Sequence, residues 1–177
     1  MIVAKKTLNI LSVFVYILIG VYALICLPSL FGYKPLVVLS GSMTPTYKIG
    51  SIIYYHKVPQ SELKKGDAIT FKIGNNELVS HRIYEIENNL YVTKGDANNT
   101  VDNVKVNYEY VLGKDLDFSI PYLGYYVKTI NENIVFPALA IIILLADFVI
   151  NNIQVKDKGT KKTEDDKKIE ENNVQHG

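Results

Sequence analysis

The sequence predicts a mainly β domain anchored by an N-terminal transmembrane helix and a second, C-terminal one. Three observations predict it. Two long uncharged apolar runs lie near the two ends; the stretch between them is built of short β-branched and tyrosine-rich runs split by Gly, Asn, Asp and Pro; and that stretch carries no helical period. A chain of 177 residues is the size of one domain, and a hydrophobic share of 48% with a net charge of +1 excludes the disordered and nucleic-acid-binding classes.

The first apolar run, residues 8–27 (LNILSVFVYILIGVYALICL), has no charge, and the uncharged stretch continues to Lys34. That is enough to cross a hydrocarbon core roughly 30 Å thick. Lys5 and Lys6 also suit the start of a cleavable secretion signal, but the apolar part of such signals is about 7 to 15 residues, so an uncleaved anchor over 7–30 fits better. The second run, 134–153, has an unbroken apolar centre at 138–146 with no polar face to offer water, and it carries Asp147 near its far end. Basic residues near the spans set orientation. Lys5 and Lys6 precede the first, and Lys156, Lys158, Lys161 and Lys162 follow the second, so residues 1–6 and the tail at 154–177 belong on the cytoplasmic side and 31–133 outside. The tail mixes Lys, Asp, Glu, Asn and Gln with few apolar residues, a composition that cannot bury enough surface to fold.

Within 31–133 the expected strands are 51–57 (SIIYYHK), 68–73 (AITFKI), 77–86 (ELVSHRIYEI), 90–93 (LYVT) and 108–117 (YEYVLGKDLD). Asn75-Asn76 and Asn88-Asn89 stand where hairpin turns belong, because Asn tolerates the left-handed backbone those turns need. Over residues 28–133 ten Lys plus Arg82 balance eleven acidic residues, so no charged patch calls for an anionic partner.

Few residues here can perform covalent chemistry. Cys26, the single cysteine, lies inside the first apolar run, which rules out an intrachain disulfide and makes a poor thiolate. No His or Cys spacing suits zinc, and no glycine-rich phosphate loop is present. A serine nucleophile needs a neighbouring base. Of three histidines, His176 lies in the tail on the opposite side of the membrane, leaving His56 and His81, and each of these also reads as an ordinary strand residue. A base histidine needs a carboxylate to fix its tautomer. The segment 93–102 (TKGDANNTVD) holds two, Asp96 and Asp102, and a hairpin of 77–86 with 90–93 would return that loop towards His81. Gly41 before Ser42 suits a backbone conformation closed to other residues.

Four segments, SGSMTPT at 40–46, GDAITF at 66–71, SHRI at 80–83 and TKGDANNTVD at 93–102, resemble in order and spacing the type I signal peptidases of peptidase family S26. The histidine of SHR, where the other branch has lysine, is similar to the Ser-His branch of the endoplasmic reticulum, archaea and some Gram-positive bacteria. The resemblance implies a signal-peptidase-like β-domain with Ser42 as nucleophile, His81 as general base, Asp102 as orienting acid and Asp96 as a supporting acid. It also implies an oxyanion hole from the Ser40 hydroxyl and the Ser42 backbone N–H, and no cofactor or metal. The implied activity is removal of signal peptides by a multi-pass enzyme of the cell membrane, catalytic domain outside. Its partners are signal peptides of secretory preproteins, the lipid bilayer and the secretion translocon, without nucleic acid. A peptidase dedicated to a few secreted substrates, and a non-catalytic membrane-anchored β module that binds protein, are the alternatives.

Overall fold

A computed structural model describes residues 2–74 and 77–152, with side chains from Lys5 onward. The Asn75-Asn76 turn, Ile153 and the tail with its lysines and His176 lie outside the described residues. The chain divides into two compact units: residues 1–20 with 134–177, and 21–133.

In the first unit, helix α1 (Ile2–Cys26) begins and helix α3 (Val135–Asn152) lies near the end of the described chain. Both are long and apolar enough to cross a membrane, with 17% of the first span's most apolar window buried and none of the second's. Ile10, Phe14, Ile17, Ile142 and Leu145 all face outward. The polar exceptions gather: the Asn9 amide, turned with its nitrogen towards α3, donates to Asp147 Oδ1 at 3.1 Å. A polar side chain without water finds a partner on the neighbouring helix.

The second unit holds one antiparallel seven-stranded sheet in the order β1-β2-β7-β3-β4-β5-β6. The strands are β1 (Tyr33–Val37), β2 (Ile52–His56), β3 (Ala68–Ile73), β4 (Glu77–Glu87), β5 (Leu90–Lys94), β6 (Val106–Asn107) and β7 (Val111–Asp115). Asn88 and Asn89 take φ of 50° and 63°, the left-handed pair that a two-residue β4–β5 hairpin turn demands. Ile69, Phe71, Ile83, Tyr91, Val106 and Val111 form the main core, and Ile53, Ala68, Met43 and Tyr47 form a second one.

The absence of helical period in the middle segment does not hold throughout. Helix α2 (Leu123–Glu132) forms there and buries Val127 against Ile25, Ile52 and Tyr54. Its apolar positions 123, 126, 127 and 130 follow helical spacing, but two adjacent tyrosines beside Val127 make the stretch look strand-like. The expected strand 108–117 is also shorter, because Tyr108–Tyr110 is a 3-10 turn capped by the Asn107 side chain before β7 starts.

Asp115 is the least expected residue of this interior. It is 2% exposed, and its Oδ1 accepts a hydrogen bond from the Thr70 hydroxyl at 2.5 Å. Burial pushes its carboxyl up to about 7; Thr70, Ser80 and Arg82 oppose the rise and Asp117 adds to it. The folded state therefore keeps a proton that the unfolded chain releases above about 3.8, so stability falls as pH rises from about 3.8 to about 7 and then levels off. Asp115→Asn should remove that slope: thermal melts from about pH 4 to pH 8 should favour the variant increasingly towards the alkaline end. An equal shift at every pH would contradict this.

Candidate active site

Ser42 lies in the chain leaving β1, inside two successive turns. The Thr44 N–H donates to the Gly41 carbonyl at 3.0 Å and the Tyr47 N–H to the Met43 carbonyl at 2.9 Å. Neighbouring apolar residues anchor these turns from below: Met43 and Tyr47 are 2% and 0% exposed, and the Tyr47 hydroxyl donates to the Leu116 carbonyl at 3.0 Å. The serine is thus a partly exposed residue beside a buried one.

Gly41 does not have the conformation expected of it. It is not among the positive-φ glycines, and a Cβ there would meet its neighbours no closer than 3.6 Å. The position that requires glycine is Gly95, in the loop after β5, where a Cβ would stand 2.6 Å from the Ser42 carbonyl oxygen. This close approach lets the Ala97 N–H donate to that carbonyl at 2.8 Å, which ties the serine turn to the acidic loop.

His81 sits mid-strand on β4 opposite Ile69 and is 8% exposed, its ring edge-on to Phe71. Its Nε2 is 3.1 Å from Ser42 Oγ and its Nδ1 is 2.6 Å from Asp102 Oδ2. An ionised carboxylate can only accept, so Nδ1 carries the proton and Nε2 is free to accept the Ser42 hydroxyl proton. Asp102 reaches this position because the β4–β5 hairpin folds its loop back, and because the Asp102 N–H donates to the Thr93 carbonyl at 2.8 Å.

Asp96 is turned elsewhere. It accepts a two-pronged interaction from Arg82, at 2.8 Å from Nε and 2.7 Å from Nη2, and a bond from the Thr46 hydroxyl at 2.5 Å. Arg82 holds the Asp96 carboxyl below its ordinary range, with Thr46 assisting, and Asp96 raises Arg82 in return. Since Arg82 also donates to the Gly66 carbonyl at 2.8 Å, the cluster joins β4, the GDAITF turn and the serine turn. Ser40 is exposed, with its hydroxyl 3.3 Å from that of Ser42. His56, the other candidate base, lies against Tyr33 with the rings tilted 47° to each other, and has no bond to Ser42 or Asp102.

Ser42, His81, Asp102 and Ser40 line one groove of about 1280 Å³, whose lining also includes Leu36 to Leu39 and Leu78 to Ser80. Among the described residues no three His, Cys, Asp or Glu side chains come together to hold a metal ion. Thr46, Arg82 and Thr93 take part in the site without having been singled out from sequence. Each lies inside a quoted motif, and the signal available was an alternating polar position on a strand or turn that otherwise buries apolar side chains.

The model of the signal peptidase family, peptidase S26, matches residues 10–113. The chain belongs to that family. Signal peptidase I W of Bacillus subtilis is 38% identical over 130 residues, covering 66% of this chain and 68% of the relative. The signal peptidase complex catalytic subunit SEC11 of Scheffersomyces stipitis is 35% identical over 113 residues, 56% and 67% of the two chains, and that of Candida dubliniensis is 32% identical over the same length. Membership makes this chain a signal peptidase hydrolase, whose substrates carry signal peptides. All four sequence motifs fall within the matched region.

Proposed function

We propose that the chain is a membrane-bound serine endopeptidase that cuts signal peptides from secretory preproteins through an acyl-enzyme on Ser42. The observation that carries this reading is the unbroken line from Ser42 Oγ through His81 to Asp102, at 3.1 and 2.6 Å. His81 Nε2 takes the serine proton as Oγ attacks the scissile carbonyl, and Asp102 stabilises the imidazolium. The proton then passes to the leaving amine, which departs as the mature protein's N-terminus. Water, deprotonated by His81, attacks the ester and releases the signal peptide. The Ser42 backbone N–H and the Ser40 hydroxyl serve the oxyanion.

Two apolar helices with outward-facing Ile, Leu and Phe side chains favour a bilayer over water as their surroundings. With both termini cytoplasmic, residues 31–133 lie outside, and Ser42, about fifteen residues beyond the first apolar run, sits near the membrane surface where a signal peptide ends its span. Lipid and the secretion translocon are its neighbours there. Cells depleted of the protein should accumulate many secreted precursors with signal peptides attached, read by mass spectrometry of precursor N-termini. Accumulation of only one or two would favour the dedicated peptidase, and fully normal processing would count against both.

A further inference from the structure

We infer that Thr93 is a positioning residue of the proposed triad, holding Asp102 in the rotamer that faces His81. Thr93 is 0% exposed on β5, and its hydroxyl donates to Asp102 Oδ2 at 2.6 Å. That is the same oxygen that accepts the His81 Nδ1–H, also at 2.6 Å. The Thr93 main chain acts on the same residue, since its carbonyl accepts the Asp102 N–H at 2.8 Å.

The need for such a brace follows from where Asp102 stands. It belongs to a loop and its side chain is 26% exposed, so water competes for the carboxylate. His81 and Thr93 are on adjacent strands, with Thr93 paired to Ile83, two residues beyond His81. An oxygen pinned by donors from both strands cannot swing to solvent without losing two charge-assisted bonds. The hydroxyl also withdraws part of the carboxylate's charge from the imidazole. Thr93 therefore trades some stabilisation of the imidazolium for a fixed geometry, an exchange that favours catalysis when orientation limits the rate. Thr46, the other threonine bonded to an acid of this loop, braces Asp96 against Arg82 and not the base.

This rests on the Ser42–His81–Asp102 reading, and the test separates the two. Thr93→Val keeps size and shape but removes the donor, and Thr93→Ser keeps the donor but removes the methyl. Using purified full-length protein in detergent and one preprotein, Thr93→Val should lose roughly ten-fold in kcat with little change in KM. Thr93→Ser should restore kcat. Thr93→Ala repeats the comparison if the valine variant does not fold. An unchanged kcat in the hydroxyl-free variants overturns the inference, as does equal impairment of the serine variant. Wild-type activity in Asp102→Ala would instead remove the triad on which it depends.

Discussion

His81→Ala should lower preprotein cleavage by roughly 10⁴-fold or more, with little effect on folding. The ring is the only base hydrogen-bonded to Ser42 Oγ among the described residues. Without it the serine must lose its proton to water, and a neutral hydroxyl is a weak nucleophile. The ring is buried edge-on to Phe71, so the variant should keep its circular dichroism and a cooperative melt, at a somewhat lower temperature. Loss of activity in a variant that still folds separates a chemical role from a structural one. Cleavage within ten-fold of wild type would mean that another group activates Ser42.

Asp102→Ala should cost roughly 10³-fold, and Asp96→Ala far less, about ten-fold, with a measurable loss of thermal stability. The difference follows from what each acid touches. Asp102 meets the His81 N–H directly; without it the imidazole loses both its tautomer and the counter-charge for the imidazolium. Asp96 meets Arg82 and Thr46, so its removal leaves a partly buried guanidinium without its partner and loosens the serine turn. The Asp96 contribution to stability is present above its ordinary carboxylate value and lost as pH falls through its lowered one. The reverse ranking in a kcat comparison would make Asp96 the orienting acid.

The hairpin that brings His81 and Asp102 together was legible in sequence because it rests on local rules. Alternation in ELVSHRIYEI and an Asn-Asn turn are both short-range signals. Asp102 was favoured over Asp96 only through family resemblance, since spacing alone left both acids open. Their different partners depend on Arg82 crossing to Asp96, a contact fourteen residues apart in the chain. Gly41 lacks the special backbone conformation expected of it, and the glycine demanded beside the serine turn is Gly95, for a steric reason. A glycine beside the nucleophile is visible in the sequence, whereas a glycine needed because another segment's carbonyl lies against it is not. Helix α2 escaped notice because its reward is tertiary: Val127 joins a cluster with Ile25 and Tyr54, which lie 102 and 73 positions earlier in the chain. Asp115 gave no signal either, since a buried carboxyl in GKDLD looks like an ordinary polar strand position.

The central claim is that the Ser42 hydroxyl carries the reaction. Its most direct test is cleavage of one preprotein by purified full-length protein in detergent, wild type beside Ser42→Ala, with the N-terminus of the product sequenced. The expected result is a single cut that removes the signal peptide by the wild type, and no product above the uncatalysed background from the variant. Wild-type cleavage at the same bond by Ser42→Ala would contradict it.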